Sequence, residues 1–251
     1  MSNKTKFGLI GKNISYSFSR GYFQKKFKDL NLNHLSYRNF DIPEVDEFPF
    51  IIYHKEEEFG GFNVTIPYKQ SILKYLHTID DEAKAIGAVN TIKLTEQSEL
   101  VGYNTDIYGF ENSIKPLLKK HHNSALIFGT GGASKAVAYT FKKLNIPYKF
   151  VSRRSSVENG ILYADLSPEL IKSFTVLVNC TPLGTHPNIN DCPPIPYDGI
   201  SDQHLLYDLI YNPEETKFLR IGKSQGAQIT NGYDMLIFQA EKAWEIWNKH
   251  I

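Results

Sequence analysis

Short runs of apolar and β-branched residues alternate along this chain with longer segments whose apolar positions recur every three or four residues. The alternation predicts strands and helices in turn. Lys6–Ile10 (KFGLI) reads as a strand, and Gly21–Leu30 as a helix with Tyr22, Phe23, Phe27 and Leu30 at helical spacing. Ser36–Phe40 and Gly61–Ile66 are the next strands, and Gln70–His77 reads as a helix after Pro67, a residue tolerated at or before a first turn. Ala88–Leu94 and Leu100–Tyr103 form a predicted hairpin. Asp106–Lys120 has a helical period that Pro116 should end or kink.

A second series begins after the polar His121–Ser124. Ala125–Phe128 is a strand, Ala133–Leu144 a helix with Ala133, Val137, Phe141 and Leu144 on one face, and Tyr148–Val151 a strand. Thr175–Val178 and Leu205–Ile210 read as buried strands, and the Pro-rich Asp191–Gly199 as an ordered surface loop. Continuous apolar runs separated by helices predict an α/β fold with a parallel sheet covered on both faces. The last segment, Asp234–Lys249, is a helix carrying Leu236, Ile237, Ala240, Trp244 and Trp247.

Length and charge narrow the function. A chain of 251 residues suits one large domain or two smaller ones. The formal charge is +1, from 28 basic and 27 acidic side chains. Such a chain has no general pull toward nucleic acid or anionic membrane, so any anion site must be local. Cys180 and Cys192 are the only cysteines, and no metal-ligand spacing appears. No stretch reaches the ~18 apolar residues of a membrane helix. The prediction is a cytoplasmic protein with a small-molecule partner, without metal, nucleic acid or membrane.

The stretch ALIFGTGGASKAV (Ala125–Val137) reads as strand, glycine turn and helix. Gly129 allows the sharp turn, and Gly131 and Gly132 let backbone N–H groups approach a pyrophosphate at the helix N-terminus. Ser134 leaves the match to G-x-G-x-x-G incomplete. A NAD site places an acidic residue at the end of the following strand, ~20 residues on. This chain has Ser152, Arg153, Arg154 and Ser155 there, two guanidiniums and two hydroxyls that suit a 2′-phosphate. NADP(H) is therefore the expected cofactor.

In GFNVTIPYKQ (Gly61–Gln70), Lys69 follows an apolar stretch and a proline. A lysine alone reads as a solvated side chain at a helix start; the motifs around it point elsewhere. GKNISYSFS (Gly11–Ser19), GFNVTIPYK (Gly61–Lys69), GAVNT (Gly87–Thr91), GYNTD (Gly102–Asp106), the glycine loop with its SRRS partner, NCTPLG (Asn179–Gly184) and NGYDMLIFQA (Asn231–Ala240) occur in the order found in shikimate dehydrogenases, along nearly the whole chain. The chain resembles that family.

The resemblance implies two domains with the active site in the cleft between them. Residues 1–106 form an α/β substrate domain completed by a C-terminal helix at 231–251, and 107–230 form a Rossmann-like, doubly wound NADP domain. Lys69 and Asp106 match the family's catalytic pair. Reducing a ring ketone needs a proton at the developing alkoxide, which an ammonium group can stabilise and protonate. A carboxylate holds the lysine oriented and biases its charge. By the same resemblance Ser17 and Ser19 bind the substrate carboxylate, Thr65, Asn90, Asp106 and Gln239 read ring hydroxyls, and Tyr211 lies near substrate and nicotinamide. Gly129, Thr130, Gly131, Gly132, Ala133, Ser152, Arg153, Arg154, Thr181, Leu183 and Gly232 fall on the cofactor side. The expected reaction is reversible NADPH-dependent reduction of 3-dehydroshikimate to shikimate, on the way to chorismate and the aromatic amino acids, by a monomer or homodimer.

Two motifs depart from the family pattern. His-Ser-x-Ser-Pro becomes Tyr16-Ser17-Phe18-Ser19-Arg20, which keeps both serines, and Asn-Arg-Thr becomes Ser152-Arg153-Arg154, which keeps the charge. Three other readings compete. A quinate/shikimate dehydrogenase using NAD would want an acidic residue after Val151. A methylenetetrahydrofolate dehydrogenase/cyclohydrolase binds a large aromatic substrate, for which Ser, Thr, Asn, Asp and Gln are a poor lining. A non-catalytic NADP sensor predicts loss of Lys69 or Asp106, and both are present.

Overall fold

A computed structural model describes residues 5–15, 17–53 and 58–248; Tyr16 and Lys249, each part of a predicted feature, lie outside the described residues. The chain forms two compact units. One comprises the described residues up to Thr105 and those from Ala240 onward, and the other comprises Asp106–Gln239.

In the first unit β1 (Thr5–Gly11) leads to α1 (Phe18–Asp29), β2 (Leu35–Asp41), α2 (Phe48–Ile52) and β3 (Phe59–Val64). Then come β4 (Thr78–Ile79), α3 (Asp81–Ile86), β5 (Thr91–Leu94) and β6 (Leu100–Tyr103), and α4 (Thr105–Ile114) leaves the unit. The sheet order is β2-β1-β3-β5-β6-β4. β1 pairs in parallel with β2 and β3, whereas β5 is antiparallel to both β3 and β6.

α1 begins three residues before the predicted Gly21, because the Ser17 hydroxyl accepts the Ser19 amide and caps it. β3 stops at Val64 instead of Ile66. Past it the Thr65 amide donates to the Ile10 carbonyl at 2.9 Å, and Ile66 points outward, 75% exposed. The helix expected over Gln70–His77 is only a 3₁₀ stretch, Ser71–Tyr75. The His77 amide donates to the Leu100 carbonyl at 2.9 Å, which draws the chain into β4 beside β6 and overrides the local helical period.

In the second unit β7 (Ala125–Phe128), α5 (Gly132–Lys143), β8 (Tyr148–Ser152), β9 (Gly160–Leu162), α6 (Pro168–Lys172) and β10 (Val176–Asn179) are followed by β11 (Leu205–Asp208), α7 (Lys217–Ser224) and β12 (Gln228–Thr230). All neighbours pair in parallel, in the order β12-β11-β10-β7-β8-β9. Counted from β7 this is the doubly wound order, with its switch point between β7 and β10, where such sheets bind ligands outside the carboxyl ends of their strands. Alternation along β7 supplies two cores: Ala125 and Ile127 pack with Val137 and Phe141, and Leu126 and Phe128 with Ile171, Phe218 and Leu219. The sheet is covered on both faces, as the continuous apolar runs predict.

The last helix, α8 (Tyr233–Asn248), divides at Ala240. Met235 belongs to a core of the second unit. Ala243, Ile246 and Trp247 pack in the first unit against Phe7, Phe23 and Phe27, and the Trp247 indole N–H donates to the Ile92 carbonyl at 3.0 Å.

Candidate active site

A chain of buried polar side chains crosses the first unit. The Tyr37 hydroxyl donates to Asn63 Oδ1 at 2.7 Å, and Asn63 Nδ2 donates to Thr91 Oγ1 at 3.2 Å and to the Asn90 carbonyl at 3.4 Å. Thr91 Oγ1 donates to Asn90 Oδ1 at 3.1 Å, and the same Oδ1 accepts the Thr105 amide at 2.7 Å. The direction of these bonds is fixed. A main-chain carbonyl can only accept, so the Asn90 carbonyl holds Asn63 with its NH₂ toward β5 and its oxygen toward Tyr37. Tyr37 has one hydrogen and gives it to Asn63. Its oxygen is therefore the acceptor for Ser19, which hydrogen-bonds it from α1. Burial pushes the Tyr37 hydroxyl far above its ordinary range, partly offset by Ser19, so the phenol stays neutral.

Five of the expected substrate and catalytic residues sit on this frame or beside it. Ser17 caps α1, and Ser19 joins the polar chain through Tyr37. Thr65 follows β3, and the Lys69 carbonyl accepts the Val89 amide at 2.8 Å, which pins the lysine's backbone one residue from Asn90. Asn90, 3% exposed, is held on both sides: its amide donates to the Tyr103 carbonyl at 3.0 Å and its own carbonyl accepts the Val64 amide at 2.8 Å. Asp106 follows Thr105 in the chain and is buried, in the second unit. Tyr211 and Gln239 also belong to that unit, Tyr211 half-buried after β11, and Gln239 on α8 with its Nε2 donating to the Leu236 carbonyl at 3.0 Å.

The expected cofactor residues gather at the carboxyl ends of the second unit's strands. Gly129 has φ +104°, a conformation that side chains other than glycine rarely adopt, and its amide donates to the Val151 carbonyl at 3.1 Å. Thr130 and Gly131 are exposed, Gly131 caps α5, and a Cβ at Gly131 would meet nothing within 4 Å. Gly132 and Ala133 begin α5, so its free N–H groups face this open ground. Ser152 is buried and its Oγ accepts the Arg154 amide at 3.0 Å, leaving both Arg153 and Arg154 exposed at the end of β8. In the loop after β10 the Thr181 amide and hydroxyl donate to Asn179 Oδ1 at 3.0 and 2.6 Å, and the Leu183 amide donates to Thr181 Oγ1 at 3.3 Å. Gly232 enters α8 so close to β11's exit that an added Cβ would lie 2.1 Å from the Leu209 carbonyl oxygen.

Glycines that free an open helix N-terminus, with two exposed guanidiniums one strand away and no acidic residue among Ser152–Ser155, fit a dinucleotide with a 2′-phosphate. Sequence reasoning missed Asn63, Thr91 and Thr105, although all lie inside quoted motifs, as polar residues among apolar neighbours. It also missed Tyr37, which carries no such signal.

Residues 9–92 match the family model described as the shikimate dehydrogenase substrate binding domain. A curated relative, the shikimate dehydrogenase (NADP(+)) of Methanococcus maripaludis, is 39% identical over 265 residues, covering 98% of this chain and 92% of its own. Among solved structures, shikimate dehydrogenase 1 from Peptoclostridium difficile is 39% identical with a TM-score of 0.82, over 98% of this chain and 93% of that one. Shikimate 5-dehydrogenase from Thermus thermophilus, solved in complex with NADP(H) and shikimate, is 28% identical with a TM-score of 0.86, over 97% and 93% of the two chains.

Proposed function

The chain belongs to the shikimate dehydrogenase family, and from that premise we propose that it is an NADP-dependent oxidoreductase interconverting 3-dehydroshikimate and shikimate in aromatic biosynthesis. The observation that carries the cofactor choice is Ser152-Arg153-Arg154 at the end of β8, where a NAD site would want a carboxylate.

Gly129–Ala133 and Thr181–Leu183 hold the dinucleotide and Arg153 and Arg154 its 2′-phosphate, with Gly232 on the same side. Bound NADPH supplies the hydride. Ser17 and Ser19 take the substrate carboxylate; Thr65, Asn90 and Gln239 read ring hydroxyls, and Tyr211 orients the ring. Lys69 stabilises and protonates the developing alkoxide, with Asp106 orienting it. The first unit, up to Thr105 and from Ala240 onward, serves as the substrate domain and Asp106–Gln239 as the cofactor domain, so Asp106 and residues 231–239, expected with the substrate domain, fall with the cofactor domain instead. Two free thiols, Cys180 and Cys192, suit a reducing cytoplasm.

The test is an absorbance assay at the nicotinamide band with purified protein, shikimate, and NADP or NAD in parallel. Rapid reduction of NADP with little of NAD is the expected result. Equal rates would break the arginine argument, and no reduction of either would break the substrate assignment.

A further inference from the structure

One buried carboxylate has no part in the chemistry above. Asp208 ends β11 with 0% of its surface exposed. Its Oδ2 accepts from the Thr216 hydroxyl at 2.6 Å, and its Oδ1 accepts from Asn179 Nδ2 and from the Ile210 amide, each at 3.0 Å. All three partners donate, which matches an ionised carboxylate. A proton on Oδ2 could still be accepted by Thr216 Oγ1 beside the Leu219 amide, which it accepts at 3.4 Å as the cap of α7, but the Thr216 hydrogen would then lose the carboxylate it donates to. The neutral acid has no equally satisfied arrangement there.

The bond to Asn179 reaches the cofactor loop. Asn179 Nδ2 faces two acceptors, Asp208 Oδ1 and the Leu183 carbonyl at 3.3 Å, while its Oδ1 faces two donors, both from Thr181. Asp208 thereby keeps the Asn179 amide the right way round, and Asn179 folds the turn Thr181–Leu183. The second branch, through the Ile210 amide, fixes the backbone entering Tyr211.

We propose that Asp208 is a positioning residue for the cofactor site: its ionised carboxylate holds the Thr181–Leu183 loop in its binding shape, and protonation releases it. The proposal rests on the dehydrogenase reading only in taking that loop as a cofactor contact. Burial raises the Asp208 carboxyl to about 6, against the opposing hydrogen bonds of Thr216, Ile210 and Asn179. The titratable groups that face it are Cys180, after β10, and Tyr197, in the loop before β11. Burial, with Asp208's own charge adding, pushes the Cys180 thiol up; for Tyr197 burial and Cys192 come first and Asp208 adds. Both stay neutral where Asp208 titrates.

NADPH binding to the full chain, without substrate, followed by nicotinamide fluorescence from pH 5 to 8, tests this. The parent should lose affinity about tenfold per pH unit below the carboxyl's midpoint. The cofactor's 2′-phosphate titrates near pH ~6 as well, so the diagnostic variant is Thr216→Val. Removing a donor that favours the ionised form should move the acid limb upward by about one pH unit, and Thr216→Ser should restore it. Asp208→Asn should bind weakly at every pH without the Asp208 limb. A limb in the same place in the parent and Thr216→Val overturns the proposal while leaving the cofactor reading intact. Failure of the parent to bind NADPH at any pH overturns the cofactor reading and the proposal with it.

Discussion

Tyr37 shows how a side chain outside the proposed substrate contacts can govern Ser19, which is proposed to be one of them. It is 1% exposed, stacks on Phe23 with ring centroids 4.7 Å apart, and passes a hydrogen bond from Ser19 to Asn63. Tyr37→Phe keeps the ring and removes the oxygen, leaving the buried Asn63 Oδ1 without its donor. A buried acceptor left unpaired costs about 1–3 kcal/mol, so urea unfolding of Tyr37→Phe should show a loss in that range. The same variant unfastens Ser19, so the KM for shikimate should rise severalfold at nearly constant kcat. Unchanged stability would mean that a water replaces the hydroxyl. Nothing in SYRNF announces this role, because a tyrosine between polar neighbours in a strand reads as packing. Asn63 was more legible: an amide inside an apolar run needs partners, although the run does not say which.

At the scale of elements, the turn after β8 separates charge from architecture. Ser152 is buried and its Oγ accepts the Arg154 amide, so the turn keeps its shape through Ser152 while the guanidiniums stay outside. Arg153→Ala should therefore leave folding untouched and raise the KM for NADP about tenfold or more, the worth of a charge-assisted bond to phosphate. The KM for NAD, which has no 2′-phosphate, should stay put. An equal rise for both would make Arg153 a structural residue. This element was readable because glycine turn, strand and arginine pair are contiguous in sequence. The stretch Gln70–His77 was not, since its conformation is decided by pairing with Leu100 and Val101 far along the chain. The short helices α2, α3, α6 and α7 were passed over as well; α6 is capped by the Ser167 hydroxyl and α7 by that of Thr216, local signals overshadowed by their brevity.

For the whole molecule, two buried groups pull stability in opposite directions with pH. The His122 imidazole, 4% exposed, is held down to about 4, first by burial and then by the charges of His121, Lys119 and His204. Folding therefore gains as pH rises from about 4 to about 6.5, where only the unfolded chain carries that proton. Asp208 runs the other way. With its carboxyl raised to about 6 from 3.8, its contribution is fully present below 3.8 and is lost as pH rises through 6. A gap of that size is worth on the order of 3 kcal/mol. Urea unfolding of the parent and of Asp208→Asn at several pH values between 4 and 7 separates the two. The variant's lost hydrogen-bond geometry adds an offset that does not depend on pH. On top of it, the stability of the parent relative to the variant should fall by ~2 kcal/mol between pH 4 and 6 and level off by about pH 7. A difference constant across the range would put Asp208 back among ordinary carboxylates and remove the basis for its proposed pH-dependent hold on the Thr181–Leu183 turn. The falling difference would mean that at neutral pH the protein keeps a charge that weakens its fold. What that charge holds in place is the turn of Asn179, Thr181 and Leu183, and a neutral side chain of the same shape cannot accept from all three donors at once.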